Sequence, residues 1–297
     1  MTTHAAPLRN ADPFSTFGIG RETETATPVL TQKLGTDLTD HRGLIELPAF
    51  AVLFDDIGGI PFHRLNMDSS SMQARLTMSM VERPRLHDMV RATGEVQMHN
   101  DTYGTTSVAI TGGDGDTLCF GVARGVRVGR PTTGESGQWQ ADPPAPNTLP
   151  AVPALDPALS GADVIAKLID GSLPVGPLAG ILGGTVTRSN DDGSIEAEFT
   201  GEPWMANLMG TMHGGVIATM LGQACSFGAQ RNVRAGGGYQ LIDFTCEFHR
   251  SPIVDGRTVR VEVTPVKLGR RLSLFDARMY DGDQLLGRAT ADARFDV

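Results

Sequence analysis

Between residues 213 and 230 apolar side chains recur at helical spacing, with Val216, Ile217, Met220, Leu221 and Ala224 sharing one face. The pattern predicts a buried helix. Four runs that alternate or are rich in β-branched residues follow at 239–250, 257–268, 271–281 and 284–296, and Asp-Gly pairs such as Asp281-Gly282 lie between them. The leading part of the chain repeats the order. Residues 48–59 form a mostly apolar helical stretch, and strand-like runs follow near 71–82, 88–100, 103–111 and 117–128.

A shift of 167 positions, which carries residue 46 onto 213, superposes the two patterns. Ala49 to Leu53 fall on Val216 to Met220, and Gly115-Asp116 on Gly282-Asp283, while Pro84 faces Pro252 with a slip of one. A near-constant offset across helix and strands points to a duplicated unit. Residues 1–28 are polar and predict an irregular leader. Residues 131–159 are rich in Pro, Gly and Thr without a periodic apolar face, which predicts a linker. The division is then a first unit at 29–130 and a second at 160–297. A helix followed by an antiparallel meander must bury that helix against its sheet. Two such units can join sheets edge to edge and hide their exposed edges. The residues alone thus predict an α+β, pseudo-twofold architecture.

Composition narrows the chemistry. Hydrophobic residues make up 40% of the 297 positions and charged residues 20%, a globular mixture with material for a core. The formal net charge of −9 and the lack of a Lys/Arg cluster argue against nucleic acid as a partner. No apolar stretch has membrane-spanning length, and the N-terminus lacks the basic and apolar regions of a signal peptide. Cys119, Cys225 and Cys246 show no metal spacing and are read as reduced, buried thiols of a cytoplasmic protein.

One segment carries more. Asn207 stands six residues before His213-Gly214-Gly215, which opens the apolar helix. This run, and the later stretch at 267–295, resemble the PaaI-like branch of the hotdog acyl-CoA thioesterases over about residues 180–297. The resemblance implies a double hotdog: two long helices, each wrapped by an antiparallel sheet, with the sheets joined into one. It implies an acyl-CoA or acyl-carrier thioester as substrate, coenzyme A entering only as part of that substrate, and no other cofactor or metal. It also implies active sites between two units. One helix N-terminus holds the thioester carbonyl, and the other unit's helix supplies an acidic residue nine positions after the family's histidine.

Here the halves have diverged in complementary ways. Nine positions after His213 stands Gly222, which has no side chain to act. The first-half counterparts of His213, Gly214 and Gly215 are Glu46, Leu47 and Pro48, yet nine positions after Glu46 stands Asp55. Sites formed across the halves would therefore be one complete site, with Asn207, His213, Gly214 and Asp55, and one broken site, with Glu46, Leu47 and Gly222.

Each group has a physical task and a plainer reading. Gly214 N–H would lie in the first helical turn, where donors are unpaired and the dipole is positive, so it suits a tetrahedral oxyanion. Gly215 would let the thioester approach the backbone. His213 would orient the loop or bond the carbonyl, or serve as a structural helix-start histidine. Asn207 would hold the carbonyl or a water, or simply turn its loop. Asp55 in an apolar helix is costly without a task, and would act as general base or nucleophile. Asp56 is its rival, and Gln73 in the next strand is a candidate polar helper. Arg270 and Arg271 are candidates for coenzyme A phosphates, or solvated strand ends.

Two other functions compete: a non-catalytic acyl-CoA-binding hotdog protein, and an enoyl-thioester hydratase or dehydratase. The second needs an acidic residue or Asn paired with a catalytic His elsewhere in the fold, and no such pair stands out. The single chain already supplies both units, and such double units can associate further into a homo-oligomer.

Overall fold

The computed structural model describes residues 12–22, 25, 27–129 and 149–296. The first described elements are a short helix α1 (Pro13–Thr16) and strands β1 (Ile19–Arg21) and β2 (Val29–Lys33). Helix α2 (Ala51–Arg64) follows a 3-10 turn at Leu47–Phe50. Strands β3 (Ser71–Met80), β4 (Met89–His99), β5 (Tyr103–Thr111) and β6 (Thr117–Arg127) complete the first half. The second half holds α3 (Gly161–Ile169), α4 (Pro177–Ile181), β7 (Thr185–Ser189), β8 (Ile195–Thr200), α5 (Gly214–Arg231), β9 (Tyr239–Phe248), β10 (Thr258–Lys267), β11 (Leu272–Asp281) and β12 (Gln284–Phe295).

All twelve strands form one antiparallel sheet in the order β1-β2-β4-β5-β6-β3-β9-β12-β11-β10-β8-β7. The halves meet at its centre, where β3 pairs with β9 from Arg75↔Glu247 to Ser79↔Asp243. The sheet wraps α2 and α5, which lie side by side inside it. That explains why α5 shows only a weak polar face: Gly215 through Gln230 are all buried, so no side needs to be wet. This is the double hotdog the sequence predicts, with two helices wrapped by a joined sheet.

The structure corrects two expectations, the leader and the extent of the first helix. The leader is not irregular throughout. Asp12 caps α1 by accepting from Ser15 N–H at 2.9 Å, β1 pairs with β2, and Phe17 is fully buried. Apolar Phe14, Phe17 and Ile19 interleaved with polar residues give this segment a face to bury, and residues 1–11 lie outside the described part. The linker at 131–148 likewise lies outside it; residues 149–159 contain neither helix nor strand. Finally, the helix expected at 48–59 starts as a 3-10 turn and runs on through Pro61 to Arg64. Strands β7 and β8, and β2 in the first half, precede the helices and were not expected. No helix among the described residues is long and apolar enough to cross a membrane.

Candidate active site

The loop before α5 is closed by Asn207. Its Oδ1 accepts from the Met209 and Thr211 N–H groups at 2.8 and 3.2 Å, and its amide donates to Thr211 Oγ1 at 3.2 Å and Met212 O at 3.5 Å. The side chain turns the loop through these bonds. The loop delivers His213 to the N-cap of α5, with its own N–H bonded to Met205 O at 2.8 Å.

The first turn of α5 abuts the first turns of α2. A side chain at Gly215 would come 2.5 Å from Val52 Cα, so the missing Cβ permits this helix–helix approach. The smallness of Gly215 thus serves the neighbouring helix. The same contact brings Asp55 onto the end of α5. Its Oδ2 accepts the Gly215 N–H at 2.7 Å and lies 3.3 Å from His213 Nδ1. On the other side of the ring, His213 Nε2 lies 3.3 Å from Asp56 Oδ1. The imidazole therefore sits between two carboxylates from the other half, and the Phe14 ring meets it edge-on at 5.9 Å between centroids. Gly214 N–H has no acceptor among the described residues. Gln73 reaches in from β3 and donates weakly to Asp55 O at 3.4 Å.

Among the described residues, three polar atoms at this junction are buried without a partner: Asp55 Oδ1, Asp56 Oδ2 and Gln73 Oε1. Such groups are expensive to bury unless they meet something the protein itself does not supply. Burial is the main cause that lifts the Asp55 carboxyl to about 6; the Asp56 charge adds to it, while His213 and the Gly215 N–H pull back. Burial likewise raises Asp56, against the pull of His213. For His213 burial disfavours the charged ring, but Asp56 and then Asp55 outweigh it and raise the ring to about 9. The Gly215 N–H is shared: besides Asp55 Oδ2 it also donates to His213 Nδ1 at 3.0 Å, while Nε2 faces Asp56.

The pseudo-equivalent junction has lost this chemistry. Glu46 sits at the start of the 3-10 turn but does not cap it. Its carboxylate turns to Arg42 (2.6 Å) and Arg83, and to the Leu241 N–H at 3.1 Å. Where the acidic residue would project, Gly222 leaves room for the Pro48 ring, whose Cγ would lie 2.7 Å from a Cβ there. Leu47 is fully buried.

Arg270 and Arg271 are not brought to the candidate site. They occupy the β10–β11 turn, and Arg270 borders an open cavity of about 500 Å³ with Gly236, Gly237, Gly238 and Phe295. That cavity lies beyond the C-terminal end of α5, about 27 Å along the axis from His213 at 1.5 Å per residue for its 18 residues. The antiparallel β10–β11 pair carries this turn to the wrong end of the helix. The three cysteines are free and buried, and burial pushes their thiols upward, Cys119 to about 12, away from nucleophilic use.

Residues 209–288 match the family model described as the thioesterase superfamily, a span that begins four residues before His213 and ends within β12. Among solved structures, the tesB protein of Mycobacterium avium subs paratuberculosis is 11% identical, with a TM-score of 0.59 over 95% of this chain and 97% of that one. A conserved protein of unknown function with a hot dog fold from Alicyclobacillus acidocaldarius is 10% identical, with a TM-score of 0.62 over 96% of this chain and 98% of that one. No curated protein sequence matches the chain. The chain has the double-hotdog fold, and residues 209–288 of its second half match the thioesterase superfamily model.

Proposed function

We propose that this protein hydrolyses acyl-coenzyme A thioesters at a single composite site, to which the first half gives the Asp55 carboxylate and the second half gives the N-terminus of α5. The observation that carries the reading is the 2.7 Å contact of Asp55 with the Gly215 N–H, beside a Gly214 N–H with no acceptor among the described residues. A thioester carbonyl placed against Gly214 N–H would find a donor and the positive end of the helix dipole. Asp55 Oδ1 would then take a proton from water as hydroxide adds to the carbonyl carbon. The oxyanion collapses, the C–S bond breaks, and the thiolate recovers the proton from Asp55. Direct attack by the carboxylate, through a mixed anhydride, would use the same groups. Gln73 Oε1 is an acceptor suited to holding the water. The buried free cysteines fit a reducing compartment such as the cytoplasm.

The test is thiol release from a panel of short, long and aromatic acyl-CoAs, with acyl-carrier thioesters alongside. Turnover is expected from the native chain. Tight binding with no thiol release, or growth of enoyl absorbance in place of release, would overturn the reading.

Two predictions belong here. Both routes need Asp55 ionised, and its carboxyl stands near 6, above the usual carboxylate range of about 4. Below that point the protonated, inactive form accumulates, so kcat/KM should climb with pH and level off above an inflection near 6. An ascending limb centred near 4 would contradict it. The second concerns Gly214→Ala. The new Cβ would lie 2.9 Å from Asp55 Oδ2 and 3.3 Å from Oδ1, so the carboxylate must shift. Relief asks about half an ångström of the carboxylate, short of the ~1 Å misplacement that can cost about 10² in rate, so kcat should fall by less than that while circular dichroism stays unchanged.

A further inference from the structure

We infer that Asp56 is a positioning residue of this site: its carboxylate holds the His213 ring by Nε2, turns Nδ1 toward Asp55, and so keeps Gly214 N–H clear for the substrate. The inference deepens the proposed thioesterase reading and rests on it for its kinetic consequence, though not for its geometry.

Adjacent helical positions point about 100° apart, so two neighbouring aspartates do not normally serve one group. Here the N-terminus of α5 lies between them, and His213 fills the gap: Asp55 Oδ2 is 3.3 Å from one ring nitrogen and Asp56 Oδ1 is 3.3 Å from the other. Both aspartate side chains are largely withdrawn from solvent, at 9% and 14% exposure. Two like charges so placed repel and are poorly solvated; proton sharing with the ring between them would offset this. Among the described residues, no other charged group bears on the ring. Phe14 of α1 lies edge-on to it, and Cys246 of β9, a thiol kept protonated, lies within electrostatic reach of Asp55.

A second observation comes from the duplicated half. The pseudo-equivalents of His213 and Asp56 are Glu46 and Gln223. Glu46 is bound to Arg42 and Arg83, and Gln223 is buried with neither polar atom partnered. The histidine–carboxylate pair is thus present at the junction that retains the Asp55 carboxylate and missing at the one that lost its acid. A residue needed only for packing would have no reason to follow the chemistry. If Asp56 no longer held Nε2, the ring could rotate and its contacts with the Gly215 N–H and Asp55 would loosen.

The experiment is Asp56→Asn, with Asp56→Glu as the conservative rescue and His213→Gln to identify the ring resonances. The first readout needs no turnover: nitrogen-15 NMR of the His213 ring titrated from pH 5 to 10. The native ring should hold its second proton to near pH 9. D56N should release it at clearly lower pH, because the largest upward pull is gone, and D56E should restore much of the shift. The second readout is kinetic: kcat for D56N at least about tenfold lower with KM little changed, and the ascending limb moved acidward, since Asp56 also raises Asp55. A His213 titration and pH profile that superpose on the native ones would overturn the inference. If D56N does not fold, D56E decides in the same way: a native titration supports the inference, and a ring that titrates like a free histidine overturns it. If the native chain releases no thiol from any thioester, the functional reading falls, while the NMR titration still decides whether Asp56 holds the ring.

Discussion

Asp55→Asn leaves a folded protein whose kcat is lower by about 10²–10⁴, the range supplied by a well-placed general base. The amide matches the carboxylate in size, and its Oδ1 can still accept the Gly215 N–H that Asp55 now takes at 2.7 Å. The junction of α2 with α5 therefore survives. What disappears is the group able to accept a proton. The melting temperature should hold or rise, because a carboxylate lifted to about 6 by burial pays a desolvation penalty that an amide avoids. This pairing of outcomes separates function from structure: an aspartate kept for stability would, on substitution, lower the melting temperature. Thiol release under saturating acyl-CoA and a calorimetric scan together decide it, and undiminished turnover in D55N would remove Asp55 from the mechanism.

The second large effect lies at the degenerate junction. Glu46→Ala should cost about 3–5 kcal/mol of stability, the usual result of removing one partner from a buried ion pair. The Glu46 side chain is 1% exposed and faces two guanidinium groups. Arg42 also bonds Asp40 and the Tyr239 carbonyl and lies over the Tyr239 ring at 3.6 Å. Removing Glu46 would leave Arg83 without a carboxylate, orphan the Leu241 N–H and loosen the tie between residues 40–46 and β9. Urea unfolding should show a lower midpoint with an unchanged slope, and the activity of the remaining folded protein should be native. A loss below about 1 kcal/mol would mean the cluster is held by its other members.

Why these two junctions differ was partly legible in the residues. The eight strands that follow the two helices were readable because their inner faces alternate with polar positions, as in β5 and β12. The strands ahead of the helices were not, since β1, β2, β7 and β8 run only three to six residues. The complementary loss, Gly222 against Asp55, followed from the register between the halves. The place of Asp56 did not, because periodicity assigns adjacent helical residues to different faces and cannot show another helix's end standing between them. Nor could the sequence show that Asn207 spends its amide on its own loop, or that Arg270 and Arg271 ride a turn at the remote end of α5. Those outcomes depend on loop closure and helix length. Glu46 could be recognised as a misfit in a binding position, but its arginines stand four residues before it and 37 after it, so its new task was invisible.

The seam between β3 and β9 has a consequence for how such a chain can change. Severed at the connector, each piece would present a long bare edge and tend to couple with its own twin. Twins of the leading piece would hold two acids and no amide cradle; twins of the trailing piece would hold two cradles and no acid. Only the mixed couple would be competent, so covalent tethering in one polypeptide guarantees the pairing that free subunits would reach only part of the time.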